Sequence, residues 1–543
     1  MIELKLAEEL DDKTKLIISK METEIQSKDN EIKAKNDEIN ELKKQLDFLK
    51  GQILNKNRKI FGKSSEQANE NQMSFFNEVE KYSDSKIPEP QIEEITYKRK
   101  KSSNNRGKKD NLASLNRVVI EHKLNDSKAI CDKCGNQLST IGSKSKEILK
   151  YKPAELYIEE HIIYTYACKS CDAEADKANI ICADRPQTLL HKSMASNELL
   201  AHVITMKYLH ALPLCRMETY FDMLDVKLSR QTLSNWIINC ASELEVVYEC
   251  MKEEFLKRNY VHADETAVKV IDSKGTETKS KHYMWVYVSP GLESSIIMYD
   301  YNKTRSSSCP VQFLKGFSGY LQTDGYSGYN KVENTKRLYC LAHIRRKFFE
   351  IIENLTPEAL KKSRAIIGFN YCEQLYAIEK ILQEQYSSSD DYYDDRHRIR
   401  LEKSAPILKE FQQYVNIEIE NALPQSALGK ALKYAQKLLP YMNILLTNGC
   451  LEIDNNAAER AVKAFVIGRK NWLFFNTPKG ARSSAIIYSI IETAKANGLA
   501  VEKYLIYLFD MLSKLDFKDK EVLKQYMPWS AEIPEILHTK SRK

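Results

Sequence analysis

The chain has 543 residues, too many for one compact domain, and 43% of them are hydrophobic, enough to build more than one core. A formal net charge of +7 is too small over that length to identify a nucleic-acid partner, so the clustering of charge says more than its total. No apolar run approaches a membrane span, and "MIELKLAEELDDKTK" has acids where a signal peptide needs cations followed by an apolar stretch, so a cytosolic protein without a membrane partner is expected.

The first predicted element is a coiled coil. From Ile18 the a positions run through Ile25, Ile32, Ile39, Leu46 and Ile53, with Met21, Lys28, Lys35, Leu42, Leu49 and Lys56 at d. Isoleucine at a with some leucine at d favours a parallel two-stranded coil, and the d lysines weaken its middle. Residues 1–60 therefore read as a leucine-zipper-like segment making a homodimer or higher oligomer; a single charged helix is the alternative. Residues 61–115 read as a basic, largely disordered linker. Its "KRKKSSNNRGKK" holds seven cations that suffice for an arm on DNA phosphates.

Four of the twelve cysteines, Cys131, Cys134, Cys168 and Cys171, form the pairs "CDKCG" and "CKSCD". Two C-x-x-C turns each aim two sulfurs at one ion, the requirement of a tetrahedral zinc site. Four protein ligands leave no open position, so this zinc would be structural. The alternating "ELYIEEHIIYTYAC" between the pairs resembles strands of a zinc ribbon, with His161 on the strand surface. Residues 116–182 are thus expected to be a zinc-binding domain; four ordinary buried thiols are the alternative.

Residues 183–256 read as helical. "PLCRMETYFDMLDVKLSRQTLSNWIINCA" predicts helix, turn, helix, with Ser229 as N-cap and a second helix carrying Arg230, Gln231, Ser234 and Asn235; Trp236 reads as core. Such pairs read DNA in some proteins and never touch it in others, so both readings stand. Next come five strand-like segments: "YVHADETAVKV", "HYMWVYVSP", "SSIIMYDYN", "GYLQTDGYSGYN" and "KRLYCLAH". A long charged helical stretch follows. Three antiparallel strands with further strands beside them fit a ribonuclease-H-like α/β core, interrupted by a helical insertion.

In "LEIDNNAAERAVKAFVIGRKNWLFF", Ala458, Ala461, Val462 and Phe465 form one apolar helical stripe, and Asn456, Glu459, Arg460 and Lys463 another face. Asp454 or Asn455 is a plausible N-cap. A solvated face with Glu459 paired to Lys463 is the plain alternative. Asp264 in the first strand, Asp324 at the end of the fourth and Glu459 are three carboxylates on separated segments that can converge on two Mg²⁺ ions, or Mn²⁺ in their place. Glu265 should point to the opposite face from Asp264.

The blocks "HADETAVKV", "QTDGYSGYN", "LAHIRRKFFE" and "IDNNAAERAVKAFVIGRKNWLFF" resemble those of the insertion-sequence family sixty-six transposases, the TnpC type. "KIFGKSSEQ", the cysteine pairs, "KYLHALPLCRMETY", "LSRQTLSNW" and "YMPWS" match in order, so the resemblance spans nearly the whole chain. It implies a DDE transposase with Asp264, Asp324 and Glu459 as catalytic metal ligands. On that reading the chain is a multidomain α+β protein: a ribonuclease-H-like core at 257–345 and 451–500, a helical insertion at 346–450 and a helical tail at 501–543. The resemblance also implies that Asn456, Arg460, Lys463, Arg469 and Lys470 hold scissile-strand phosphates, that Arg345, Arg346 and Lys347 extend this track, and that His343 lies near the metals. Arg230 and Gln231 are the candidate DNA contacts of the helix-turn-helix-like region.

The implied reaction frees a 3′-hydroxyl at the element end and joins it to target DNA, in the bacterial cytoplasm at the nucleoid. The resemblance implies double-stranded DNA as the partner, with companion proteins encoded by the same element. The departures are the long lysine-rich linker and Val501 where proline is expected in "NGLAVEKYL". A catalytically retired zinc-containing DNA-binding scaffold and a metal-dependent nuclease without strand transfer are the other readings.

Overall fold

The computed structural model describes residues 19–21, 23–36, 155–167, 180–184, 186–270, 281–290, 294–353, 355–386, 391–473, 475, 477–514 and 520–539. The chain divides into one unit of Met1–Asn55 with Ile158–Lys543 and a second of Lys56–Tyr157. The expected linker, the four C-x-x-C cysteines, Ile18 and the heptad positions from Ile39 onward lie outside the described residues. Residues 19–21 and 23–36 are helical, and Met21, Ile25 and Ile32 of the expected seam are all exposed. Among the described residues no helix is long and apolar enough to cross a membrane.

Two short strands, β1 (Thr165–Ala167) and β2 (Ile180–Cys182), pair antiparallel. The main sheet contains β3 (Tyr260–Val268), β4 (His282–Ser289), β5 (Ile296–Asn302), β6 (Gly319–Thr323) and β7 (Thr335–Tyr339). Its order is β5-β4-β3-β6-β7: β3, β4 and β5 form an antiparallel meander, while β6 runs parallel to β3 and β7 parallel to β6. All five segments expected as strands therefore form. The last ends earlier than its sequence suggests, because Leu341, Ile344, Phe348 and Ile352 recur at helical spacing and are buried together. His343 consequently rides on a helix.

Among the described residues of 186–259, four helices lead into the sheet: α1 (Asn197–Tyr208), α2 (Leu214–Asp222), α3 (Arg230–Glu243) and α4 (Glu245–Leu256). Ser229 caps α3 as expected, its hydroxyl accepting from the Thr232 N–H at 3.2 Å, and Trp236 is buried. The short α5 (Ser308–Phe313) lies in the crossover from β5 to β6. After β7 come α6 (Leu341–Ile352), α7 (Pro357–Lys362), α8 (Ala365–Tyr386), α9 (Tyr392–Ile399), a π turn at Arg400–Ser404, α10 (Ala405–Asn421) and α11 (Ala427–Met442). The chain closes with α12 (Asn456–Trp472), α13 (Pro478–Ala496), α14 (Val501–Leu512) and α15 (Lys520–Lys524).

These elements bury two cores. One joins α1–α4, most of the sheet and α12–α14; the other joins α6, α8, α10 and α11 to β7 and Tyr260. The stretch expected as an insertion is thus helical, and its core reaches the sheet at β7 and Tyr260. Helices α1–α4 and the C-terminal helices are continuous with the sheet: Tyr208 Oη is 2.9 Å from Ser484 Oγ, Tyr248 donates to the Tyr299 carbonyl at 2.9 Å, and Asn197 donates to Asp510 at 2.8 Å. Lys207 stands 4.2 Å over the Trp472 ring in this packing, and its burial brings the ammonium down to about 8.

Candidate active site

The pleat of the meander sorts its acids. Asp264 on β3 faces Val286 on β4, which faces Tyr299 on β5, and Tyr299 donates to the Ala461 carbonyl of α12 at 2.8 Å. That row lies on the α12 face. Its neighbours Glu265, Trp285 and Asp300 form the opposite row, with Trp285 edge-on to Tyr329 at 5.5 Å. Glu265 does point away from Asp264: its carboxylate pairs with Arg305 at 2.5 Å and accepts from Tyr329 at 2.6 Å.

Asp324 follows β6 directly, one strand over from Asp264, and its Oδ1 accepts from the Tyr326 N–H at 2.9 Å. Gly325 follows it and lets a tyrosine approach. A Cβ there would stand 2.7 Å from the Tyr434 hydroxyl, so α11 of the insertion packs against the backbone next to the acid. Burial first, then Asp324, pushes the Tyr434 hydroxyl up to about 12.

Glu459 sits one turn into α12, whose buried stripe of Ala458, Ala461 and Phe465 packs on β3 and β4 as the sequence pattern requires. Small residues at the contact bring the helix axis close to the sheet. Asn455 precedes the helix, yet its side chain does not cap it. The amide instead donates to the Ala263 carbonyl at 2.9 Å and accepts from His262 Nδ1 at 2.9 Å, both on β3. Asp454 takes the local role, accepting from the Asn456 N–H at 3.1 Å. Burial lowers His262 to about 4, so the ring is neutral and carries its proton on Nδ1.

Electrostatics connect the three acids. Burial pushes the Asp264 carboxyl up to about 8, and Glu265, Asp324 and Glu459 push the same way, against the Glu265 N–H that donates to it at 2.8 Å. Glu459 Oε1 is 3.8 Å from His343 Nε2, too long for a hydrogen bond, and it is buried without a partner, as is His343 Nδ1. Burial lowers His343, opposed by Glu459 and Asp324. Cys340 is the third member of this group; its sulfur, that histidine and Glu459 bring ligand atoms within 4.8 Å of one another. Asp264, Asp324 and Glu459 do not gather so tightly, and a site for two ions about 3.5–4 Å apart is wider than a site for one. Neighbouring carboxylates, one with an orphaned oxygen, fit hard divalent ions.

The expected DNA contacts divide. Asn456, Arg460, Lys463 and Lys470 on α12 and Arg346 on α6 are exposed. The Arg469 guanidinium is instead taken up by β3, donating to Thr266 Oγ1 at 3.1 Å and to the Ala267 carbonyl. Arg345 pairs with Glu373, Lys347 lies 3.8 Å from Glu350, and Arg230 pairs with Glu218 at 2.6 Å beside exposed Gln231. Asn455, Arg305 and Tyr434 were not anticipated as site residues. Asn455 stands inside the "IDNNAAER" block, where a capping reading hid it; nothing in the sequence around Tyr434 points to Asp324.

Comparison with known proteins yields three family matches: residues 192–483 match the "Transposase IS66 family", residues 128–172 the "zinc-finger binding domain of transposase IS66", and residues 49–120 the "Transposase C of IS166 homeodomain". The second spans all four C-x-x-C cysteines. Among curated proteins, "Uncharacterized protein y4jD" of Sinorhizobium fredii (strain NBRC 101917 / NGR234) is 28% identical over 437 residues, covering 77% of this chain and 80% of that protein. Two others from the same strain are similar: "Uncharacterized protein y4qI", 27% identical, covering 68% of each chain, and "Uncharacterized protein y4hP", 24% identical, covering 76% of this chain and 74% of its own.

Proposed function

The chain belongs to the transposase IS66 family, and from that premise we propose that it is a DDE transposase with Asp264, Asp324 and Glu459 as its catalytic acids. The observation that supports the assignment is geometric: Asp264 lies on β3, Asp324 directly follows the adjacent β6, and Glu459 lies on α12, which packs on β3 and β4. Three segments far apart in sequence thus meet on one region of the sheet. The ribonuclease-H-like reading of the core is supported by the sheet, an antiparallel meander extended by two parallel strands.

Asp264 stands on β3 and Asp324 just past the end of the adjacent β6, and Glu459 is carried by a helix docked on β3 and β4. Magnesium or manganese bound there supplies activation of the attacking oxygen and stabilisation of the leaving oxygen. The protein holds the acids apart and keeps the His343 ring neutral beside Glu459. The exposed cations of α12 fix the register of the backbone without reading its bases. Water first attacks the phosphodiester at the element end and releases a 3′-hydroxyl; that hydroxyl then attacks a target phosphodiester, exchanging one ester for another. The coiled coil joins chains into a dimer or larger assembly, the four cysteines hold a structural zinc, and Arg230 and Gln231 of α3 contact DNA.

The test uses labelled duplexes carrying the element ends. Wild type gives joined products with Mg²⁺, while Asp264→Asn and Glu459→Gln bind the ends and join nothing. Nicks without joined products would favour the nuclease, and binding without either would favour the retired scaffold. Mutants that lose end binding but cleave pre-bound DNA would contradict the triad.

A further inference from the structure

We propose that the helical insertion is a positioning device for Glu459, acting through a charge cluster in which the buried Glu379, Arg396 and Arg400 meet the half-exposed Glu452. The inference rests on the catalytic reading above. The lead-in to α12 runs from Asn448 to Asn455, and the insertion holds it by its backbone as well as by a side chain. Arg396 on α9 donates to both oxygens of Glu452 at 3.2 and 3.0 Å, to Glu379 at 2.8 and 3.0 Å, and to the Gly449 carbonyl at 3.3 Å. Arg400, in the π turn, donates to Glu379 at 2.7 and 2.8 Å and to the Asn448 carbonyl at 3.5 Å. The two arginines are four positions apart, so they share one face, and two cations balance two carboxylates.

The lead-in is gripped from its other side by the sheet. The Glu452 N–H donates to Tyr260 Oη at 2.9 Å, Gln322 donates to the Glu452 carbonyl at 2.9 Å, and Tyr260 in turn donates to Gln322. Gly449 runs so close to α9 that a Cβ would fall 1.8 Å from the Tyr393 carbonyl. Glu452 thus joins the strands bearing Asp264 and Asp324 to the insertion, seven residues before Glu459. Arg400 is 0% exposed and Arg396 4%. Apolar residues of the same volume would stabilise such a site at least as well, whereas the charge cluster admits one arrangement of the lead-in. Its placement in a π turn is of the kind found where a helix is tailored to a task.

The experiment measures Mn²⁺ binding to the full-length chain by electron paramagnetic resonance, alongside thermal unfolding. Asp264→Asn removes the acid-site component of wild-type binding. Glu452→Gln and Arg396→Lys are expected to weaken that component at least fivefold, with Glu452→Asp recovering part of the loss. Leu408→Ala, in the core of the insertion but outside the cluster, should lower the unfolding temperature and leave Mn²⁺ affinity within twofold. Wild-type affinity in Glu452→Gln and Arg396→Lys, or an equal loss in Leu408→Ala, overturns the positioning role and leaves the acids standing. Mn²⁺ binding indifferent to Asp264→Asn overturns the catalytic reading and this inference with it.

Discussion

Asn455→Ala is the sharpest test of how the third acid is held. The substitution removes two hydrogen bonds of 2.9 Å and strands a ring N–H on His262 and a carbonyl on Ala263, in a place where both residues are 0% exposed. An unsatisfied buried group costs about 1–3 kcal/mol, so the pair should cost about 2–6 kcal/mol. With a urea slope near 3 kcal/mol per molar, the unfolding midpoint falls by about 1 M. Tryptophan fluorescence reports it, since Trp285 is fully buried in the same sheet. The backbone N–H of residue 455 still reaches Cys340, so the loss belongs to the side chain. His262→Phe should absorb part of the cost, giving a coupling of about 1–2 kcal/mol in a double-mutant cycle. A midpoint unchanged in Asn455→Ala, or additive single variants, would refute the account.

Lys207 supplies a pH test. Its folded value of about 8 lies below the ordinary 10.5, so between those values the unfolded chain binds more protons and stability climbs with pH. Lys207→Met should flatten that climb in unfolding curves and, by removing a buried cation, stabilise the chain at pH 7 by about 2 kcal/mol, less its attraction to Trp472. Elemental analysis of the purified chain should give one zinc, lost in Cys131→Ser or Cys168→Ser. Lys470→Ala should reduce the salt slope of DNA binding by about 1 with no change in unfolding. Arg469→Ala should do the reverse, destabilising the chain through the lost contacts to Thr266 and Ala267.

Much of this was legible because local pattern and tertiary packing agree. The strands are rich in β-branched and aromatic residues, and the stripe of Ala458, Ala461 and Phe465 is the face that α12 buries. The opposed directions of Asp264 and Glu265 follow from a period of two. What stayed hidden was made by distant partners. An asparagine ahead of a helix reads as a cap, and only the sheet reveals that Asn455 serves β3. Arg469 looks like its cationic neighbours until Thr266 is seen across from it. The join between "YC" and "LAH" misled because Cys340, between strand and helix, suits either. Tyr434 and Arg396 belong to a helical body whose sequence carries no mark of the acids it touches.

The division into two cores has a consequence for how the molecule comes off the ribosome. Strands β3 to β7 emerge with Asp264 and Asp324 already in place, but the helices that cover their inner face, α12 and α13, emerge only after the whole second core has been made. At 5–20 residues per second that interval is on the order of ten seconds, during which a broad apolar surface waits unroofed. A nascent chain stalled anywhere in that interval carries two of the three acids and none of the α12 cations. On the proposed reading, the set of three acids is complete only once α12 has been made.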